Sequence, residues 1–343
     1  MSKKVLIIGG AGFIGINTAS YYLSKGYKVA IFDNFSRKGS SKNLQWLEKK
    51  FKANITLVKG EVRGESEVLK KLIGEAGLVI HLAAQVAVTS SVKNPREDFE
   101  INALGTFNVL EAIRKAKNNP ILIYSSTNKV YGELEDLKII EGKTRYEFKD
   151  LKNGVSEERI LDFHSPYGCS KGCADQYVRD YARIYGINTI VFRQSCIYGP
   201  HQFGVEDQGW VAWFIIALTL GKKITIYGNG KQVRDLLFIE DLIEAYDLAA
   251  KNIKRTKGQI YNIGGGNKNI VSVWFDFRPI LEELFKRKID AKFSNWRPGD
   301  QPIYVSDIRK AKRDFGWEPR TNVRQGIKKL YDWVSANKKS FNA

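Results

Sequence analysis

The runs Ser125-Ser126-Thr127-Asn128-Lys129-Val130-Tyr131-Gly132 and Tyr167-Gly168-Cys169-Ser170-Lys171 carry the side chains best suited to chemistry in this chain. Tyr167 and Lys171 are four residues apart, so on a helix they share one face and the ammonium lies near the phenol. A cation at ~4 Å in a medium of effective dielectric ~20 favours the phenolate by roughly 4 kcal/mol. At ~1.36 kcal/mol per unit, a tyrosine of ordinary pKa about 10 is brought towards neutrality. Such a phenol is a general base for a sugar or alcohol hydroxyl whose carbon gives up a hydride. The pair alone is a common coincidence, equally satisfied by a half-buried packing tyrosine. A dinucleotide site upstream is what gives it meaning.

Val5-Leu6-Ile7-Ile8 is a short continuous apolar run, as expected of a buried parallel strand. Gly9-Gly10-Ala11-Gly12-Phe13-Ile14-Gly15 follows at once, and an apolar-periodic helix is predicted from there to about Lys25. Gly9, Gly12 and Gly15 permit a tight turn, close approach of backbone to a pyrophosphate, and close helix–strand packing. The helix N-terminus offers free N–H groups and partial positive charge to the phosphates. Asp33 ends the next apolar run, Val29-Ala30-Ile31-Phe32, where an acid meets the adenosine ribose hydroxyls. Its charge opposes a 2′-phosphate and favours NAD over NADP. Arg37 and Lys38 keep NADP open, because either can accommodate the extra phosphate.

The 343 residues suffice for one large domain and a smaller one. The formal net charge of +18 admits two readings, a nucleic-acid surface or a solvated lysine-rich one. Basic residues are scattered among acids, and the most basic stretch, 309–339, has no zinc-finger spacing, so no nucleic-acid partner is expected. Local positive charge also suits an anionic nucleotide-sugar substrate. Three cysteines, Cys169, Cys173 and Cys196, form an odd set without metal-ligand spacing. Reduced structural thiols in a cytoplasmic protein are expected, and no metal site. Lys3-Lys4 precedes an apolar run too short for a signal peptide, and no stretch is long enough to span a membrane.

These residues need a frame. Strand-like runs at 55–59, 78–82, 121–124 and 189–192 alternate with amphipathic stretches such as 99–115. The alternation predicts an α/β fold, a Rossmann-type doubly wound parallel sheet. After about Ser195 the pattern loosens, and residues 237–265 again read as sheet and helix. The expected division is therefore a dinucleotide-binding domain of 1–195 plus 236–265. A smaller, discontinuous C-terminal α/β substrate domain takes 196–235 plus 266–343. Pro279 interrupts the helical pattern 271–288, so that helix is expected to kink or to start late.

Taken together, these motifs resemble the extended short-chain dehydrogenase/reductase family of nucleotide-sugar enzymes, essentially end to end. The resemblance runs through residues 9–15, His81-Leu82-Ala83-Ala84, Asn102 with Gly105-Thr106, residues 125–132, and Tyr167 with Lys171. It continues through Arg193, Tyr198-Gly199-Pro200, Arg234-Asp235, Tyr261-Asn262-Ile263-Gly264-Gly265 and Phe315-Gly316-Trp317. Residues 125–132, 162–171, 207–211 and 228–235 are similar to the branch of the family that epimerises CDP-hexoses at C2. Two positions depart from the pattern: Ile8 replaces the usual threonine before the first glycine, and Glu61 the usual aspartate on adenine.

The resemblance implies roles residue by residue. Tyr167 is general base and then acid, Lys171 lowers its pKa and holds the nicotinamide ribose, and Thr127 hydrogen-bonds the reacting hydroxyl. NAD is implied as cofactor, held by Gly9, Gly12, Phe13, Ile14, Gly15, Asp33, Asn34, Ser36, Arg37, Glu61, Val62, Leu82, Ala83, Ala84, Asn102, Ser125, Tyr167 and Lys171. The substrate set is Thr127, Asn128, Gln194, Ser195, Gln208, Gly209, Trp210, Gln232, Arg234 and Arg297. For the two arginines the alternative is a surface ion pair, and for Trp210 a place in the core. In the related 4,6-dehydratases an Asp-Glu pair follows the threonine and supplies the acid and base for losing water. Asn128 and Lys129 stand there in this chain, which disfavours dehydration and leaves epimerisation of a nucleotide sugar. A CDP-hexose is favoured, at C2. A UDP-hexose 4-epimerase and a non-catalytic NAD-sensing protein on the same fold are the alternatives. The family also implies a homodimer or homotetramer, formed through the helices near 99–115 and 166–185.

Overall fold

The apolar run after Lys3 forms strand β1 (Lys4–Ile8), whose side chains divide by parity. Val5 and Ile7 enter one hydrophobic core while Leu6 and Ile8 enter another, so both faces are covered. That is why the strand shows no polar alternation. The computed structural model describes residues 3–297 and 299–341. Six further strands join β1: β2 (Lys28–Asp33), β3 (Ile55–Lys59), β4 (Leu78–His81), β5 (Ile121–Thr127), β6 (Thr189–Gln194) and β7 (Gln259–Ile263). Their order is β7-β6-β5-β4-β1-β2-β3, and every pairing is parallel. This is the doubly wound α/β sheet that the alternation predicts. The order reverses direction at β1, between β2 and β4, which opens a crevice beyond their carboxyl ends.

Helix α1 (Phe13–Ser24) follows the glycine loop, and α2 (Gly105–Lys115) grows from a π-helical turn at Glu100–Leu104. The long helix α3 (Ser165–Tyr185) starts with Pro166 in its first turn and ends on Gly186, whose φ of 67° closes it. Ser165, its first residue, has φ 70°, a left-handed conformation that costs an ordinary side chain energy. A fourth helix, α4 (Trp210–Thr219), is apolar nearly all round and packs against the helix Val323–Ala336.

Short strands complete the C-terminal lobe. Val233–Asp235 pairs antiparallel with Ile270–Ser272 and parallel with Ile303–Tyr304, and Ile224–Tyr227 pairs with Ala291–Ser294. The helix expected over 271–288 starts late, at Phe277, with Pro279 in its first turn. One segment crosses between lobes. The antiparallel hairpin Ile139–Glu141/Tyr146–Phe148 sets Tyr146 against Val233, Ile303 and Val305, and Leu134 and Val155 join a cluster with Tyr304. These residues lie within 1–195 in sequence yet pack on the C-terminal segments. All three cysteines are free thiols. Among the described residues no helix is long and apolar enough to cross a membrane.

Candidate active site

The glycine loop is built by close approach. At Gly9 (φ 83°) a Cβ would lie 2.5 Å from the Ala83 nitrogen, and at Gly15 one would lie 2.5 Å from the Gly9 carbonyl oxygen. Gly12 is different: among the described residues a Cβ there would meet only the Gly9 oxygen, at 3.5 Å. Its missing side chain leaves room on the cleft side, where α1 starts without a side-chain cap or an acid in its first turn. Free N–H groups over an open cradle suit a pyrophosphate. The cleft holds about 360 Å³ and extends from Asp33 and Glu61 at one end to Ser125, Tyr167 and Lys171 at the other. Every expected cofactor residue except Asn102 lines it.

At the adenosine end, Asp33 accepts the Ala11 N–H at 2.9 Å and the Phe35 N–H at 2.7 Å. Burial pushes its carboxyl above the ordinary range against the pull of those donors. Glu61 accepts from Asn34, Val62 and Arg63, and these bonds outweigh burial to hold it below its ordinary value. Ser36 donates to Asn34, and Arg37 reaches Gln208 at 3.3 Å. Asn102 takes a different part from the one expected. Its amide is spent on Gln85, Asp98 and Ser170, so it braces the loop after β4 and ties it to α3.

At the reacting end, β5 delivers Ser125 and α3 delivers Tyr167 and Lys171 to the cleft lining, with Thr127 two residues further along β5. The Thr127 hydroxyl, which accepts the Lys129 N–H at 3.2 Å, also acts on the Tyr167 phenol. Burial pushes that phenol up to about 12; the Thr127 hydroxyl and Arg37 lower it and Asp98 raises it. Lys171 donates to the Ser125 carbonyl at 2.5 Å and lies 4.3 Å from the centroid of the Tyr124 ring. Burial brings it down to about 7, in spite of Asp175 and Asp98. The lowered phenol expected from the Tyr167–Lys171 spacing is not what the packing favours: burial is the largest influence on both groups, and it raises the phenol. Desolvation disfavours both charged forms, and the ammonium is turned to a carbonyl and a ring face.

The substrate candidates divide. Gln208 lines the cleft. Arg234, nearly buried, pairs with Asp300 at 2.6 Å, and Arg297 pairs with Asp207 at 3.1 Å while lying 3.9 Å from the Tyr227 ring centroid. Asn128 donates to Gln301 at 3.3 Å. Gln194 is spent on the Tyr246 hydroxyl and Ser195 on Asp235. Gln232 donates to the Tyr227 carbonyl at 2.5 Å, and Gly209 caps α4 with φ 78°. Trp210 packs edge-on against Phe214 and Phe277, which answers in favour of the core.

Three features were missed from the sequence. Tyr124 lies under Lys171. Buried Asp98 accepts from Ser170 and Asn102, and its spacing of four from Asn102 was the available signal. Residues 299–301 meet the turn after β5 through Lys129–Gly299, Asn128–Gln301 and Gln301–Gly132, with no local signal at all.

A model of the GDP-mannose 4,6 dehydratase family matches residues 6–330. CDP-paratose 2-epimerase from Salmonella typhi is 47% identical, covering 97% of this chain and 99% of its own. A putative UDP-glucose 4-epimerase from Methanocaldococcus jannaschii is 32% identical over 98% of this chain and 100% of its own. Among solved structures, UDP-glucuronic acid 4-epimerase from Bacillus cereus, in complex with UDP-glucuronic acid and NAD, superposes with a TM-score of 0.83. It is 27% identical, with 97% of this chain and 99% of that one covered.

Proposed function

The chain belongs to the GDP-mannose 4,6 dehydratase family of extended short-chain dehydrogenases/reductases, and we propose that it is an NAD-dependent epimerase inverting C2 of a nucleotide-linked hexose, converting CDP-paratose to CDP-tyvelose. The observation that carries this reading is the convergence of Thr127, Tyr167 and Lys171 at one end of a dinucleotide-shaped cleft, with Asn128 and Lys129 as the next residues. An amide has no proton to transfer and a lysine reverses the charge of a glutamate, so the turn lacks the acid and base that loss of water requires. The 47% identity to a named 2-epimerase supports C2 over C4.

NAD, when bound, would supply the hydride acceptor and donor that oxidation and re-reduction of a sugar carbon require, at the end of the cleft lined by Ser125, Tyr167 and Lys171. Gly9, Gly12 and Gly15 would admit its pyrophosphate, and Asp33 its adenosine ribose. Thr127 holds the reacting hydroxyl in line with Tyr167. Tyr167 acts from its phenolate form, which burial disfavours and the Thr127 hydroxyl and Arg37 favour: it takes the hydroxyl proton as C2 is oxidised and keeps it while the 2-keto sugar turns over. It then returns the proton to the C2 oxygen as C2 is reduced from its opposite face. Lys171, fixed by the Ser125 carbonyl, positions the nicotinamide ribose. The C-terminal lobe with the 133–161 segment would hold the substrate, in a homodimer of cytoplasmic location.

The test is to incubate the protein with CDP-, UDP- and GDP-hexoses and to read product stereochemistry by NMR. Inversion at C2 of the CDP sugar is expected, and inversion at C4 of a UDP-hexose would replace this reading with that of a 4-epimerase. Tyr167→Phe should lower kcat by at least about a hundredfold, the scale of general acid–base catalysis, while NAD stays bound. Near-native turnover would remove Tyr167 from the chemistry. In deuterated water the sugar carbons should take up no deuterium; label at C3 would point to enolisation instead.

A further inference from the structure

Lys129 takes no part in the proton and hydride steps above, and its surroundings are unusual. It follows Thr127 by two residues in the turn Asn128–Tyr131, and its own N–H donates to the Thr127 hydroxyl at 3.2 Å. Its ammonium donates to the Gly299 carbonyl at 2.9 Å, beside Asp300, which is already paired with Arg234. Arg234 and Arg297 each have a carboxylate within 4 Å, whereas among the described residues Lys129 has none. An ammonium has three donors, so a half-buried one spending a single donor on a carbonyl leaves most of its capacity for a ligand. Burial brings it down to about 8, and an arriving anion would restore its charge.

Position says which anion. The turn joins the reacting end, at Thr127, to the loop that carries Asp300 beside Arg234. In a nucleotide hexose, C2 is separated from the β-phosphorus only by C1 and the glycosidic oxygen, whereas C4 lies across the ring from it. When C2 faces Thr127 and Tyr167, the β-phosphate is the charged group nearest the reacting carbon, and Lys129 is the next cation along the chain from Thr127. We propose that Lys129 is a substrate-binding residue whose ammonium takes the β-phosphate of the nucleotide sugar and so presents C2, rather than C4, to Tyr167. The regiochemical half of this inference rests on the 2-epimerase reading.

The test compares nucleotides that differ only in the β-phosphate. CDP and CMP, and UDP and UMP as the second base, are titrated calorimetrically into the NAD-loaded protein, its Lys129→Met variant and its Lys129→Arg variant. The wild type should prefer the diphosphate. Lys129→Met should cut that preference by about tenfold to a hundredfold, the loss of one charge-assisted hydrogen bond, with monophosphate binding unchanged. Lys129→Arg should retain it. A preference that survives in Lys129→Met, or an equal loss for monophosphate and diphosphate in both variants, would overturn the proposal. The ratio is read within each base, so it does not depend on which base the enzyme prefers. A collapsed ratio together with C4 inversion by NMR would leave the phosphate contact standing and overturn the selection of C2.

Discussion

Two buried groups and one half-buried one decide what this site does at a given pH, and spacing alone did not reveal their state. Tyr167 and Lys171 were legible as a pair at i and i+4, but the outcome at about 12 and about 7 is set by desolvation, which depends on chain brought from elsewhere. Lys129 was legible only as a missing glutamate, because its acceptor, Gly299, is far away in sequence. Its state makes a pH prediction. The groups facing it are Asp300 and Glu133, which favour its charge, Cys196, and Arg234, which opposes it. In the free site it is charged below about 8 and neutral above, and binding a phosphate raises that value. Affinity for CDP should therefore be level below pH 8 and fall as pH rises past it. Calorimetry of the NAD-loaded protein across pH 6.5 to 9.5, a range chosen to bracket the ordinary lysine and its lowered value, checks this. Lys129→Arg should show no such fall, and a wild-type profile as flat as that of the variant would remove Lys129 from phosphate binding.

The catalytic helix is held by a polar network that runs under the sheet. Asp175, one turn beyond Lys171 on α3, receives two hydrogen bonds from Arg193 on β6, each at 2.9 Å, and one from Ser126 on β5 at 2.7 Å. Arg193 also reaches the Tyr131 hydroxyl, which donates to Asn262 on β7. One carboxylate thus fixes α3 to two strands. Asp175 and Arg193 are both essentially inaccessible to water, so removing one partner strands a buried charge. Arg193→Met should cost about 3–5 kcal/mol in urea unfolding, and adding Asp175→Leu should restore part of it. A loss below about 1 kcal/mol, the range of exposed pairs, would show that the network contributes only weakly to docking α3. At this scale the sequence was most informative where an apolar run fills a whole strand. The sheet strands declare themselves as short continuous apolar runs, while α3, which the structure bounds with Pro166 and Gly186, came only with the family resemblance. Two- and three-residue strands such as Ile303–Tyr304 carry no period at all. Ile139–Glu141 is exposed along its length, so no apolar pattern announces that this hairpin belongs with the C-terminal lobe.

Across the whole molecule, the exposed side of α2 and α3 is what distinguishes this surface from a uniformly charged one. The formal charge of +18 covers a chain that nonetheless exposes Phe107 on α2 and Tyr177, Ile184 and Tyr185 on α3. These side chains are linked rather than scattered. The Phe107 and Tyr177 rings meet edge to face at 5.9 Å, Tyr181 bridges to Tyr185 at 4.9 Å, and the Arg114 guanidinium caps the Tyr185 ring. An apolar patch of this kind on an otherwise charged surface suits a contact with another chain. A two-fold pairing of α2 and α3 with their own copies would bury it in a self-complementary interface. Ile184 is 66% exposed and is not a member of either sheet core cluster, so its substitution tests the patch without disturbing the fold. Ile184→Glu should raise the dimer Kd by at least about tenfold in sedimentation velocity while the unfolding midpoint of the isolated chain stays put. The same patch explains why a net charge of this size need not keep the copies apart: the charge is distributed over the whole surface and screened beyond about 8 Å at physiological salt, whereas the apolar contact acts at the interface itself. A wild type that sediments as a monomer at tens of micromolar, on the order of the concentration at which weak interfaces form, would assign the patch to a different partner.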